Sequence, residues 1–137
     1  MLSILIVEDS LERINLFRSL LTACSTRFAR SSGEAIALLS GRTFDLIFLD
    51  YDLADETTAT PVAHYIRDEK IAAKVVIHSD NPGGAGVLSS LLKNSLAVPV
   101  ALLRGNSDAN SRLKALLARP DLTDTEEVLG VLRALKK

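Results

Sequence analysis

The sequence predicts an α/β protein built on a doubly wound, five-stranded parallel sheet with strand order 2-1-3-4-5. Short apolar runs alternate along the 137 residues with segments whose apolar residues recur at helical spacing, and this alternation is typical of right-handed βαβ units. The runs are apolar at nearly every position, as in strands buried on both faces of a parallel sheet. We expect one domain over residues 1–137, with its core over about residues 2–118.

The first third of the chain is predicted to contain two strands and two helices. Ser3–Val7 is an apolar, β-branched run and indicates a buried strand. Ser10 is suited to cap the first helix. Arg27–Arg30 is predicted to be a short edge strand. Ser31, with a glutamate three residues later, has the capping-box pattern and opens a helix over Ala35–Ser40.

The first helix is predicted to have two distinct faces. Its apolar residues recur at helical spacing between Leu11 and Leu21, so this face is expected to pack on the sheet. Two basic residues of the same helix, Arg13 and Arg18, lie away from that stripe. We therefore expect both of their side chains to face water.

The middle of the chain contains three more apolar runs, and each predicts a strand. They are Phe44–Leu49, Lys74–His78 and Val98–Leu103. Pro61 suits the first turn of a helix that connects the first two. Ser79–Gly84 is rich in turn-forming residues and separates the second of these strands from the next helical segment.

Two helical segments are predicted at the end of the chain, over Asn110–Ala118 and Asp124–Lys136. Thr123, with a glutamate three residues later, has the capping-box pattern for the second of them. Its apolar stripe is wide and needs a cover. Either the helices of the same sheet or a second copy of the chain could supply that cover, so a homodimer through these helices is an open alternative.

Composition and charge argue against two classes of partner. The chain has 16 Lys and Arg against 17 Asp and Glu, a formal net charge of −1, whereas binding to nucleic acid or to an anionic membrane needs a surplus of basic groups. No apolar run approaches the roughly 18 residues that a membrane span requires. With one cysteine and no signal-peptide pattern, the chain is expected to be cytoplasmic.

Acidic residues follow two neighbouring strands of the predicted sheet. Glu8 and Asp9 come directly after the first strand, and Asp50 follows Phe44–Leu49. Because adjacent strands lie about 4.8 Å apart, these carboxylates should meet at the carboxyl edge, where ligands of open α/β sheets bind. Their repulsion can be relieved by a raised pKa or by a divalent cation. Oxygen ligands at an open site favour Mg²⁺.

These segments also carry a resemblance. The runs Ile4–Ser10 and Phe44–Asp50 resemble the receiver domain of bacterial response regulators, which has a flavodoxin-like fold. The resemblance implies that Asp50 accepts a phosphoryl group from a histidine kinase in phosphorelay-type signalling. It also implies that Glu8, Asp9 and Asp50 hold Mg²⁺ together with the backbone carbonyl of Asp52.

The receiver pattern is matched in one place and broken in another. Ser79 stands where the family has Ser or Thr at the end of strand four, and its hydroxyl could bond a phosphoryl oxygen. The family's lysine at the end of strand five, usually followed by proline, is missing. The alignment places Arg104 there, and a guanidinium could also clamp a phosphate. Leu102 takes the place of the family's aromatic switch residue.

The stretch from His78 to Gly86 departs furthest from ordinary receivers. With Leu49–Leu53 it resembles a variant group, the cyclic-phosphate-processing receiver domains. At a strand end beside Asp50, His78 could act as a general acid or base near neutral pH. Asn81 could donate to a phosphoryl oxygen, and the backbone amides of Gly83 and Gly84 could cradle an anion.

Three hypotheses for function remain open at this stage, and they leave undecided whether the protein is an enzyme. The first is a receiver with Mg²⁺ and phosphoryl transfer to Asp50. The second is an enzyme that opens a cyclic phosphate or hydrolyses a phosphoester, with His78 as proton donor. The third is a degenerate receiver that serves as a protein-interaction module.

Overall fold

In a computed structural model that describes all 137 residues, five parallel strands form one sheet in the order β2-β1-β3-β4-β5. The strands are β1 (Ser3–Val7), β2 (Ser25–Ala29), β3 (Leu46–Leu49), β4 (Lys74–Ile77) and β5 (Leu96–Ala97). This order confirms the predicted α/β, doubly wound, flavodoxin-like fold class.

Seven helices accompany the sheet. They are α1 (Leu11–Leu20), α2 (Ser32–Gly41), α3 (Thr60–Asp68), α4 (Pro82–Leu91), α5 (Val100–Leu103), α6 (Asp108–Leu117) and α7 (Thr125–Leu135), and a 3₁₀ turn covers Ala54–Glu56. The additional helix predicted at the end of the chain is therefore α7. None of these helices has both the length and the apolar character that crossing a membrane would take.

The predicted N-caps of α1 and α2 are confirmed, but the capping box at α2 is incomplete, because the Glu34 carboxylate accepts the Arg30 N–H at 3.4 Å and not that of Ser31. The Ser10 hydroxyl accepts the Arg13 N–H at 3.4 Å, and the Ser31 hydroxyl accepts the Glu34 N–H at 3.2 Å. The capping box predicted at Thr123 is wrong, because α7 is capped by Asp124, whose carboxylate accepts the Glu126 N–H at 2.9 Å. A carboxylate also interacts favourably with the helix N-terminus.

The final strand prediction, Val98–Leu103, is wrong as well. The regular pairing of β5 with β4 ends at Ala97. The N–H groups of Val98 and Val100 still donate to the carbonyls of Ile77 at 2.7 Å and His78 at 3.1 Å, but residues 100–103 form α5 instead. Pro99 has no N–H to donate and a φ of −55° that suits the start of a helix. As a result, Arg104 lies at the C-terminal end of a helical turn and not at the end of a strand.

The core has one layer on each face of the sheet, because alternate residues of each strand point to opposite faces. On one face Ile4, Ile6 and Phe48 pack with α1, α6 and α7. On the other face Leu5, Val7, Ile47 and Leu49 pack with α2, α3 and α4. The buried side of α7 consists of Val128, Leu129, Leu132 and Leu135, and all four belong to the first layer. The apolar stripe of α7 is thus covered within the chain.

Candidate functional site

Three buried polar residues meet at the carboxyl edge of the sheet. Glu8 follows β1, Asp50 follows β3 and His78 follows β4, and these are neighbouring strands. Glu8 and His78 are 0 % exposed and Asp50 is 2 % exposed. One ligand atom from each lies within 4.8 Å of the other two. The parallel sheet therefore brings together residues separated by up to 70 positions in the chain.

Glu8 is held as a carboxylate. Its Oε2 accepts the backbone N–H groups of Asp9 at 3.0 Å and Ser10 at 3.1 Å, and its Oε1 lies 3.0 Å from His78 Nε2. Burial opposes ionisation, but the hydrogen bond and charge of His78, helped by Ser10 and Arg13, hold the pKa of Glu8 below its usual value. A carboxylate only accepts hydrogen bonds, so His78 donates its Nε2–H to Glu8.

The rest of the His78 ring is enclosed. Its Nδ1 is buried and has no hydrogen-bond partner. The ring packs edge-on against Phe17, with centroids 4.9 Å apart, and also lies near Phe48. The imidazole is therefore fixed against Glu8 from the apolar side of the site and does not face the solvent.

Asp50 is less well compensated than Glu8. Its Oδ1 accepts the Tyr51 backbone N–H at 2.8 Å, and its Oδ2 lies 3.3 Å from Arg13 Nη1. Burial raises the pKa of Asp50 to about 6, and the charge of Glu8 acts in the same direction, whereas His78 and Arg13 act against it. A further positive charge beside Asp50 would favour its ionised form and lower this pKa.

Arg13 is the site residue that the sequence interpretation missed. The prediction that it faces water is wrong, because its side chain is 26 % exposed and its guanidinium lies among three carboxylates. Nη1 lies 3.3 Å from Asp50 and 3.7 Å from Glu8, and Nη2 lies 3.2 Å from Asp80. Its position in the first turn of a helix that starts directly after the acids is the signal that could have identified it.

Asp9 and Asp52, which the resemblance gives to the metal, lie outside this buried cluster. Asp9 is half-buried. Burial and the neighbouring charge of Glu8 raise the pKa of its carboxyl. Asp52 is exposed, and its carboxylate accepts the Asn81 side-chain N–H at 3.2 Å. In the chain, Asp9 directly follows Glu8 and Asp52 stands two residues after Asp50.

The residues after β4 are largely engaged in local structure. Ser79 is 4 % exposed, and its hydroxyl accepts the Asn81 N–H at 3.1 Å. Asn81 caps α4, since its Oδ1 accepts the Gly84 N–H at 3.1 Å. Gly83 is exposed in the same turn. The Asn81 amide therefore joins the start of α4 to Asp52 on the neighbouring loop.

Gly84 is required by packing. A Cβ at this position would lie 2.3 Å from two carbons of the Tyr51 ring, which is far inside van der Waals contact. The Tyr51 ring therefore lies flush against the first turn of α4, next to Asp50. This contact explains a glycine that the sequence pattern assigned to a phosphate cradle.

Arg104 pairs with a different acid. Its guanidinium bonds Glu12 of α1, and its side chain is 41 % exposed. The residue that precedes Pro99 at the end of β5 is Val98, which is 0 % exposed. The position that the receiver resemblance gives to a lysine followed by proline thus holds an uncharged, buried side chain.

The comparisons with known proteins identify the family of the chain. Residues 4–94 match the family model described as the cyclic-phosphate processing receiver domain. The chain belongs to this family. No curated protein sequence matches it.

Solved structures of response regulator receiver domains share the fold. The chain is similar to response regulator protein TrrA from Thermotoga maritima, solved in complex with Mg²⁺-BeF, with 21% identity and a TM-score of 0.66 over 96% of this chain and 99% of that one. A CheY-like receiver domain protein from Methanospirillum hungatei gives 18% identity and a TM-score of 0.64 over 99% of this chain and 97% of that one. At these identities the likeness shows the receiver fold alone.

Proposed function

We propose that this receiver domain accepts a phosphoryl group on Asp50 in a Mg²⁺-dependent reaction. The observation that carries the proposal is the buried pair of carboxylates on neighbouring strands, with ligand atoms of Glu8 and Asp50 within 4.8 Å. Two charges buried this close need compensation. TrrA shares the fold and was solved in complex with Mg²⁺-BeF, which supports a Mg²⁺-dependent phosphoryl site in this chain as well.

The residues present fit a hard divalent cation. Glu8, Asp9 and Asp50 offer carboxylate oxygens, and the backbone carbonyl of Asp52 would complete the set that the resemblance implies. When bound, Mg²⁺ neutralises charge on the oxygens of a transferring phosphoryl group. The His78 nitrogen that faces the cluster lies 3.0 Å from Glu8, so we assign it to orienting that carboxylate.

The transfer itself needs a nucleophile and a donor. The Asp50 carboxylate attacks phosphorus, an O–P bond forms, and the bond from phosphorus to the donor's leaving group breaks. A histidine kinase or a small phosphodonor would supply the group. We assign the Ser79 hydroxyl, which follows β4, to donating a hydrogen bond to a phosphoryl oxygen.

The test is intact-protein mass spectrometry after incubation with Mg²⁺ and acetyl phosphate, with phosphate release followed in parallel. We expect a single phosphoryl adduct or Mg²⁺-dependent phosphate release that is lost in Asp50→Asn. Asp52→Asn is the matched control, because Asp52 is exposed and only its backbone carbonyl is assigned to the metal. An adduct that persists in Asp50→Asn, or neither signal from a wild-type protein that binds Mg²⁺, would contradict the proposal.

The family match and the buried Glu8–His78 pair favour a second candidate, the opening of a cyclic phosphate. Because His78 is 0 % exposed, it would act through Glu8 in this reaction. Under this candidate, His78→Asn abolishes Mg²⁺-dependent hydrolysis of a 2′,3′-cyclic nucleotide, whereas His64→Asn, at an exposed histidine, does not. If the protein neither reacts with acetyl phosphate or the cyclic nucleotide nor binds Mg²⁺, the degenerate interaction module remains.

A further inference from the structure

We propose that Arg13 supplies the positive charge that contacts the phosphoryl group on Asp50, the role for which the alignment had suggested Arg104. This inference rests on the proposed function, because it assumes that Asp50 carries the group. It assigns the contact with the phosphoryl oxygens to a charge on α1 and not to one that follows β5.

The first support is the place of the guanidinium. Arg13 Nη1 lies 3.3 Å from Asp50 Oδ2, and Nη2 reaches Asp80 at 3.2 Å. A phosphoryl group on Oδ2 would therefore form directly beside two N–H donor groups of one planar fork. Guanidinium groups bind phosphate oxygens through such paired hydrogen bonds.

The second support comes from the other cations around the site. Arg13 is the only Lys or Arg that forms an ion pair with Glu8, Asp50 or Asp80. Arg104 is held by Glu12, and Arg30 donates to the Asp9 backbone carbonyl at 3.0 Å. The residue that follows β5 is the buried, uncharged Val98. No basic side chain other than Arg13 therefore pairs with Asp50.

The third support is that the environment allows the guanidinium to exchange partners. Phosphorylation of Asp50 gives an acyl phosphate, which removes the charge from Oδ2 and places up to two negative charges on the phosphoryl oxygens. The Arg13 side chain is 26 % exposed and that of Asp80 is 39 % exposed, so these groups are not locked in the core. The stronger anion would then draw the guanidinium away from Asp80.

The test compares Arg13→Gln and Arg13→Lys with Arg104→Gln as the matched control. The rate of adduct formation from acetyl phosphate and the affinity for beryllofluoride, a phosphoryl mimic, are measured at saturating Mg²⁺. We expect Arg13→Gln to lower both by about tenfold, the effect of losing one hydrogen bond to a charged group. Arg13→Lys should fall in between, and Arg104→Gln should stay close to wild type.

Affinity for Mg²⁺ alone separates phosphoryl contact from a structural role. Removing a cation 3.3 Å from Asp50 should leave Mg²⁺ binding unchanged or tighter. A substitution that displaced Glu8 and Asp50 would instead weaken Mg²⁺ binding. If Arg13→Gln does not fold, Arg13→Lys replaces it in the test and must still show a reduced rate of adduct formation.

Several outcomes would overturn the inference. The first is a rate and a beryllofluoride affinity in the Arg13 variants that equal those of the wild type. The second is weakened Mg²⁺ binding that accounts for the slower rate. The third is a loss of rate and affinity in Arg104→Gln instead. A wild-type protein that binds Mg²⁺ but neither beryllofluoride nor acetyl phosphate overturns the proposed function itself, and the inference with it.

Discussion

Glu8 and Asp50 are both carboxylates at strand ends and both buried, yet their pKa values move in opposite directions. Glu8 has a histidine N–H and two backbone N–H groups as donors, so hydrogen bonding outweighs its burial. Asp50 has one backbone N–H and a more distant guanidinium. At the residue scale, hydrogen bonds and the charge of His78 therefore hold the pKa of Glu8 low, whereas burial and the charge of Glu8 raise the pKa of Asp50.

The raised pKa of Asp50 predicts how stability depends on pH in metal-free protein. Between the ordinary value of 3.8 and about 6, the folded state keeps a proton that the unfolded chain has released. The free energy of unfolding therefore falls as pH rises through this window, and the full penalty is present above about 6. We expect Asp50→Asn, which has no such penalty, to gain stability relative to wild type between pH 4 and 7.

Urea unfolding in EDTA at several pH values checks this prediction. The two proteins should converge near pH 4 and separate through the window, with the full difference present above about pH 6. Saturating Mg²⁺ should reduce the difference by stabilising only the wild type. Parallel curves across the whole range would show that Asp50 has an ordinary pKa in the folded state.

At the scale of elements, the start of α4 is fixed by one close approach. Gly84 lies against the Tyr51 ring, whereas a Cβ at Gly86, two residues further along the same helix, would meet nothing within 4 Å. The side chain of Asn81 caps the same turn by accepting the Gly84 N–H. Gly84 is therefore required by its packing against Tyr51, whereas packing places no constraint on Gly86.

This difference predicts opposite effects for two similar substitutions. Gly84→Ala should destabilise the protein by about 1–3 kcal/mol, because the added methyl overlaps the Tyr51 ring. Gly86→Ala should stabilise it by up to about 1 kcal/mol, because alanine favours a helix interior. Chemical denaturation gives both values. Equal effects of the same sign would mean that Tyr51 does not pack on Gly84.

At the scale of the whole molecule, α7 completes the core layer on one face of the sheet. Leu132 is 0 % exposed and lies in the same apolar layer as Phe17 and Phe48. The large apolar side chains that stay exposed are few, namely Met1, Leu11 and Val87. The apolar stripe that suggested a homodimer is therefore buried inside the chain.

Truncation of a buried side chain in α7 should confirm that the helix belongs to the core. Leu132→Ala is expected to lower the free energy of unfolding by about 2–5 kcal/mol through lost burial and a cavity. Leu11→Ala is the control, since Leu11 is 63 % exposed, and should change it by less than about 0.5 kcal/mol. A small effect of Leu132→Ala would mean that α7 packs weakly on the rest of the chain.

The sequence by itself determined the fold class, the strand order and the acids at the carboxyl edge of the sheet. Periodicity and burial patterns are local, and parallel strands bring their ends to one edge whatever the side chains are. The boundary at Pro99 was also local, but the apolar run from Val98 to Leu103 concealed it, because a short apolar run does not distinguish a strand from a helical turn.

Only the tertiary structure decided which side chains meet. Arg13 reaches Asp50 across 37 positions and Asp80 across 67 positions of the chain, and His78 meets Glu8 across 70. A long, flexible side chain can pair with any acid within reach, so its partner depends on distances between elements that periodicity does not encode. For the same reason Arg104 was assigned to the phosphoryl site from the sequence, whereas the fold pairs it with Glu12.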